Sequence, residues 1–216
     1  MKFFIDTANL DQIREANDLG ILDGVTTNPS LMAREGIRGE EKINQHYVDI
    51  CNIVDGDVSA EVIATDFDGI IKEAEKLVSL HPQIVVKVPM IKEGVKAIKY
   101  LSEKGIRTNC TLVFSVGQAI LAAKAGATYV SPFIGRLDDI STEGVELIAQ
   151  IVDIYRYYDF DTQVLAASIR HTMHIVQCAE AGTDVVTCPL DPILGLLKHP
   201  LTDIGLEKFL ADHNKK

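Results

Sequence analysis

Lys2-Phe3-Phe4-Ile5-Asp6-Thr7-Ala8-Asn9 reads as an apolar β-strand that ends on a carboxylate and turns into the next segment without a glycine. In an open doubly wound sheet that first turn is glycine-rich, because the backbone must approach a ligand's phosphates and the following helix closely. Asp6-Thr7-Ala8-Asn9 stands there instead. A parallel sheet that begins this way is expected to close on itself.

Outward from this stretch, short β-type runs alternate with longer runs of helical period. Eight strands are predicted, over Lys2–Asp6, Gly24–Thr27, Val58–Ile63, Ile84–Val88, Thr108–Val113, Tyr129–Phe133, Gln163–Ala167 and Asp184–Cys188. The intervening helices are predicted over Leu10–Leu19, Glu40–Val54, Asp66–Leu80, Glu93–Glu103, Val116–Ala125, Glu143–Tyr157, His171–Ala181 and Pro192–Leu197, with Thr202–Asp212 as a C-terminal extra. Gly20, Gly105, Gly126 and Gly182 sit where helices should stop. The alternation argues an α/β fold with a parallel sheet, and eight units argue a (β/α)8 (TIM-type) barrel. In 216 residues each unit has only 27 (216/8), so the loops must be short.

With 47% apolar residues and no linker or low-complexity block, residues 1–216 are expected to form one barrel domain. No apolar run approaches the roughly 20 residues of a membrane span, and no signal segment opens the chain, which points to a cytoplasmic protein without membrane partners. A net charge of −10 leaves no basic stripe for nucleic acid, so an anionic ligand must be small and gripped by a few local cations. Cys51, Cys110, Cys178 and Cys188 lack metal-type pairing and read as reduced core residues.

In such a barrel the active site lies at the C-terminal ends of the strands. Candidate residues, all polar but Phe133, cluster at those ends: Asp6, then Thr26 and Asn28, then Glu61, Lys87, Asn109 and Thr111, Ser131 and Phe133 with nearby Arg136, and Ser168 with Arg170. The eighth strand, Val185-Val186-Thr187-Cys188, offers little.

Ile84-Val85-Val86-Lys87-Val88-Pro89-Met90 places an amine inside a strand that is apolar on both faces. A buried ammonium is costly; desolvation favours the neutral amine, which can attack a carbonyl to form a Schiff base. The alternative is a lysine whose stem packs in the barrel while its ammonium reaches solvent or a carboxylate. Glu61 and Asp6 suit the proton transfers of Schiff-base chemistry, or else a structural ion pair with Lys87. Arg136, Ser168 and Arg170 suit a bidentate grip on phosphate, unless Arg136 pairs with Asp138 or Asp139.

His171 and His174 lie one helical turn apart, without a third ligand at recognisable spacing, so no metal is expected. Tyr155, Tyr157 and Tyr158 read as packing residues, facing neighbouring elements or another subunit. The tail Asn214-Lys215-Lys216 is expected to be disordered.

Six ordered blocks carry a resemblance over almost the whole chain. They are Phe4-Ile5-Asp6-Thr7-Ala8, Gly24-Val25-Thr26-Thr27-Asn28-Pro29-Ser30, Val85-Val86-Lys87-Val88-Pro89, Asn109-Cys110-Thr111-Leu112-Val113-Phe114, Ser131-Pro132-Phe133-Ile134-Gly135-Arg136-Leu137-Asp138 and Ala166-Ala167-Ser168-Ile169-Arg170. The chain resembles the short transaldolase family, which also contains fructose-6-phosphate aldolases. The resemblance implies Lys87 as the Schiff-base lysine, and Glu61 as acid/base through a water that Thr111 helps to hold. Asp6 would handle the proton of the reacting hydroxyl, and Thr26 would support Glu61 or the water. Asn28, Asn109 and Ser131 would bind the hydroxyls of a dihydroxyacetone unit, and Arg136, Ser168 and Arg170 the phosphate.

The resemblance also implies small sugar-phosphate substrates, no cofactor, and a homo-oligomer, suggested to be a ring-shaped decamer in which the helix near Leu206–Asp212 reaches a neighbour. Resembling aldolases tend to carry Gln where Glu61 stands and Tyr where Phe133 stands. A phenyl ring cannot position a hydrolytic water, so transaldolase is the expected activity, with fructose-6-phosphate aldolase as the alternative. A non-catalytic sugar-phosphate-binding barrel is the reading from another class, since fold alone does not fix activity.

Overall fold

In a computed structural model, which describes residues 1–215, eight parallel strands close into a barrel in sequence order. They are β1 (Lys2–Asp6), β2 (Gly24–Thr26), β3 (Asp57–Glu61), β4 (Ile84–Pro89), β5 (Thr108–Val113), β6 (Tyr129–Pro132), β7 (Gln163–Ala166) and β8 (Val185–Cys188), and β8 pairs with β1. The helices are α1 (Leu10–Asp18), α2 (Pro29–Arg34), α3 (Glu40–Cys51), α4 (Phe67–Val78), α5 (Lys92–Glu103), α6 (Val116–Ala125), α7 (Ile134–Asp138), α8 (Gly144–Tyr157), α9 (Thr172–Ala181), α10 (Leu190–Gly195) and α11 (Pro200–His213).

All the expected strands and helices form, with ends moved by a few residues. The expected stops hold: Gly20, Gly105, Gly126 and Gly182 all take positive φ after a helix. The short helices α2 and α7 were not anticipated. A six-residue helix shows no periodicity, although Asn28 before Pro29 is a legible start: the Asn28 side chain accepts from the Leu31 N–H at 2.9 Å, with proline in the first turn.

Successive side chains on a strand point to opposite faces, so each strand feeds two packing layers. One set, including Ile5, Val25, Val58, Ala60, Val86, Val88, Cys110, Val130, Val164, Ala166 and Val186, joins the helices in the main core. The other set faces the lumen, where Phe4, Val85, Tyr129, Leu165 and Val185 form a separate buried plug. Gly24 is what admits the Phe4 ring, since a Cβ there would lie 2.7 Å from it. The N-terminal end is closed by polar groups: Asp57 pairs with Arg107 and accepts from the Tyr129 hydroxyl at 2.8 Å.

The remaining side chains divide between core and surface. The four cysteines are buried free thiols, and burial pushes those of Cys110, Cys178 and Cys188 up to about 12. Tyr155 is buried with its hydroxyl on the Ala119 carbonyl at 2.6 Å, whereas Tyr157 and Tyr158 are exposed. The α11 helix buries none of its residues, and Lys216 lies outside the described residues. Among the described residues no helix is long and apolar enough to cross a membrane.

Candidate active site

Because Lys87 is two residues beyond Val85, it shares the lumen face and stands directly above the apolar plug. Glu61 is its register partner on β3, and Asn109 its partner on β5. Asp6 and Thr26 are likewise paired across β1 and β2. The same alternation places Ser131 and Phe133 on β6 and just beyond it, facing the mouth.

Lys87 is 5% exposed, and its Nζ lies 3.0 Å from Glu61 Oε2 and 3.0 Å from the Thr27 carbonyl oxygen. The ion pair anticipated as the structural alternative therefore exists, with Glu61 and not with Asp6. It does not displace the catalytic reading. A carboxylate in direct contact with a buried amine can accept and return the proton that the amine must lose before it attacks a carbonyl.

Asp6 is held by a different chain of hydroxyls. Thr26 Oγ1 donates to Asp6 Oδ1 at 2.7 Å and sits 2.6 Å from Thr187 Oγ1. Thr26 has one proton and gives it to the carboxylate, so Thr187 donates to Thr26. Thr26 thus serves Asp6 and not Glu61, and β8 contributes a site hydroxyl that its apolar sequence concealed.

Beside Lys87 on β5, Asn109 is fully buried and bonded on both sides, donating to Ser59 Oγ at 3.1 Å and accepting from Ser131 Oγ at 2.7 Å. It alone of the candidates lines neither mouth cavity; it orients Ser131 from below. Asn28 spends its oxygen on capping α2, which leaves its amide N–H groups for a ligand. Thr111 Oγ1 is buried without a hydrogen-bond partner beside Glu61 and Lys87. A buried hydroxyl left unsatisfied is unfavourable, and a polar ligand atom or water satisfies it.

Two adjoining cavities open on Lys87. One, of about 340 Å³, runs from Asp6, Thr26 and Lys87 to Ser131, Arg136, Ser168 and Arg170. The other, of about 450 Å³, runs past Glu61, Thr111 and Leu112. Phe133 borders both, packed edge-on against Phe114 at 5.6 Å between ring centroids and covered by the Arg136 guanidinium at 5.0 Å. Two non-glycine residues on the rim hold positive φ, Leu112 at 61° beside an irregularity in the β5–β6 register and Ser168 at 61°. Such backbone strain is characteristic of functional sites.

The arginines are arranged differently from the simplest expectation. Arg136 makes no ion pair with Asp138 or Asp139; Arg170 pairs with Asp139 at 2.7 Å. Gly135 allows this, since a Cβ there would lie 2.6 Å from Arg170 Nε and 2.3 Å from the Ser168 carbonyl. A third arginine, Arg34 in the last turn of α2, lines both cavities. It was missed because no strand end carries it; the cap that starts α2 was the only available signal. His171 caps α9 through Nδ1, and His174 is buried between Asp138 and the loop that carries Arg170.

The family profile for transaldolase/fructose-6-phosphate aldolase matches residues 3–216. A probable transaldolase of Cytophaga hutchinsonii is 76% identical over all of this chain and 99% of its own length. Probable transaldolases of Phocaeicola vulgatus and Porphyromonas gingivalis are 75% and 71% identical, again over the whole chain and 99% and 98% of their lengths. With a closed eight-stranded barrel, a buried lysine–glutamate pair at its mouth and this match over the full length, the chain belongs to the transaldolase/fructose-6-phosphate aldolase family.

Proposed function

We propose that this chain is a transaldolase that moves a dihydroxyacetone unit from a ketose phosphate to an aldose phosphate through a Schiff base on Lys87, as in the pentose phosphate pathway. The observation that carries the reading is the buried Lys87–Glu61 contact of 3.0 Å, set between hydroxyl-bearing walls and an arginine-lined rim. Glu61 takes a proton from Lys87, whose Nζ attacks the C2 ketone of fructose 6-phosphate. Glu61, through a water held near Thr111, then protonates the departing hydroxyl of the carbinolamine.

Asp6, kept in place by Thr26 and Thr187, removes the C4 hydroxyl proton; the C3–C4 bond breaks and its electrons flow into the protonated imine. Glyceraldehyde 3-phosphate leaves and a three-carbon enamine stays on Lys87. The imine nitrogen is the electron sink, so the cycle needs no metal or organic cofactor. Asn28 and Ser131, with Asn109 behind it, hold the hydroxyls of the retained unit. Arg136, Ser168, Arg170 and Arg34 receive the phosphate, Arg170 exchanging Asp139 for it. The enamine carbon then attacks erythrose 4-phosphate, Asp6 returns its proton to the new hydroxyl, and imine hydrolysis releases sedoheptulose 7-phosphate. The sedoheptulose phosphate is equally a donor in the reverse direction.

Phe133 separates transfer from simple aldol cleavage. It offers the enamine a ring with no hydroxyl to place a hydrolytic water, so the intermediate persists until an acceptor aldehyde arrives. We further propose that the protein is a homo-oligomer built through α11, on which Leu201, Ile204, Leu206, Phe209 and Leu210 are all exposed, Phe209 by 72%.

Release of glyceraldehyde 3-phosphate from fructose 6-phosphate, followed with and without erythrose 4-phosphate, tests the activity. Steady turnover should require the acceptor, with about one equivalent per site released in its absence; equal release without acceptor, with free dihydroxyacetone accumulating, identifies an aldolase. Arg34→Ala should raise KM for fructose 6-phosphate about three- to tenfold at unchanged kcat, the scale of one partly solvated charge-assisted hydrogen bond; an unchanged KM removes Arg34 from the site. Light scattering should give a wild-type mass well above the 23.7 kDa of one chain and a smaller assembly for Leu206→Glu/Phe209→Glu, whereas a monomeric wild type contradicts the α11 interface.

A further inference from the structure

The two arginines that flank Ser168 do not stand on strands. Arg136 belongs to the five-residue helix α7, and Arg170 to the segment between β7 and α9. Two backbone bonds join these pieces, Ile134 N–H to the Ala167 carbonyl and Gly135 N–H to the Ser168 carbonyl, each 3.0 Å. Both lie on the strand side. At the far end, where the arginines are, the connection is made by the exposed Arg170–Asp139 ion pair and by one buried side chain.

That side chain is His174, on the first turn of α9 and 5% exposed. Its Nδ1 accepts from the Arg170 backbone N–H at 3.2 Å, and its Nε2 lies 3.0 Å from Asp138 Oδ2 on α7. Asp138 in turn accepts from the Gly144 N–H at 2.9 Å, which ties the same carboxylate to the start of α8. A backbone N–H aimed at Nδ1 leaves that nitrogen as an acceptor, so the ring proton resides on Nε2 and is donated to Asp138. The neutral imidazole satisfies both neighbours at once, whereas a second proton on Nδ1 would oppose the Arg170 N–H. Burial, with the charges of His171 and Arg170 nearby, lowers the His174 pKa, while Asp138 acts in the opposite direction. His174 lines neither mouth cavity.

We propose that His174 is a positioning residue for phosphate: bridging Asp138 and the Arg170 amide, it fixes the separation of Arg136 and Arg170 and so sets the affinity for the phosphate end of the substrate without touching it. The inference rests on the reading of Arg136, Ser168 and Arg170 as the phosphate site. A bidentate grip depends on the mutual placement of its donors, and a displacement of about 1 Å costs as much as a hundredfold. A histidine that merely fills the core would affect all substrates alike when replaced.

The test compares wild type with His174→Phe, which keeps the ring volume and removes both polar contacts, and with Asp138→Ala, which removes the other end of the bridge. Three quantities are read: the dissociation constant of inorganic phosphate by NMR titration, KM and kcat for fructose 6-phosphate with acceptor, and the rate of borohydride trapping by dihydroxyacetone, which carries no phosphate. Circular dichroism checks that each variant is folded.

The phosphate dissociation constant and the KM should rise together by about tenfold in either variant, with kcat and dihydroxyacetone trapping within about twofold of wild type. The double variant should be no worse than the more affected single one, because the two residues act as one strut. Unchanged phosphate affinity, or parallel losses in phosphate binding and dihydroxyacetone trapping, would overturn the proposal, as would a His174→Phe chain that fails to fold while Asp138→Ala folds and binds phosphate normally. A wild type that binds phosphate but forms no Schiff base refutes the transaldolase reading alone, and the phosphate titration still decides the role of His174. A wild type that does not bind phosphate overturns the role of His174 directly.

Discussion

The strand-borne residues at the mouth of this barrel follow from one constraint, the two-residue period of parallel strands closed on themselves. Once Val85 is committed to the apolar plug, Lys87 has no choice of face, and its nearest neighbours are the residues that the register brings opposite it. Glu61 on one side and Asn109 on the other are fixed by the same pairing. A slip of one residue in β4 would point the amine at the helices and Val86 at the substrate.

The closure also accounts for the electrostatics. An ammonium at this depth is tolerable only with partners, and Glu61 with the Thr27 carbonyl supplies them. A buried ion pair contributes little to stability compared with an apolar pair of the same shape, so its presence here is better explained by proton traffic than by folding. The resting contact already has the geometry that the proposed proton transfer needs, so seeing an ion pair does not argue against that proposal. Asp6 escapes that pair because β1 places it beside Thr26 and Thr187, and the two carboxylates consequently have separate environments and separable duties.

Strand count, strand order and the gathering of most candidate residues at one mouth were legible in the sequence for one reason: polar residues interrupting short apolar runs mark strand ends, and in a barrel all strand ends meet. Lys87, Glu61, Asp6 and Ser168 were found that way. Partnerships across the lumen were less legible, because they depend on which residues the tilt and register bring face to face; Thr26, expected to support Glu61 or the water, bonds Asp6, and Thr187 was overlooked. Least legible were the features that lie off the strands. Arg34 rides on a helix too short to show periodicity, and Arg170 rather than Arg136 reaches Asp139 because Gly135 leaves room for it. His174, weighed in the sequence only as a metal ligand, joins Asp138 to the Arg170 amide, a link that exists only once α7 and the loop after β7 are folded together.

Borohydride trapping followed by peptide mass analysis addresses the central claim most directly. Wild-type protein reduced in the presence of fructose 6-phosphate should carry a dihydroxyacetone-derived adduct on the peptide containing Lys87, and the Lys87→Ala variant should carry none. An adduct that persists in Lys87→Ala, or that maps to another lysine in the wild type, would contradict the account of this site.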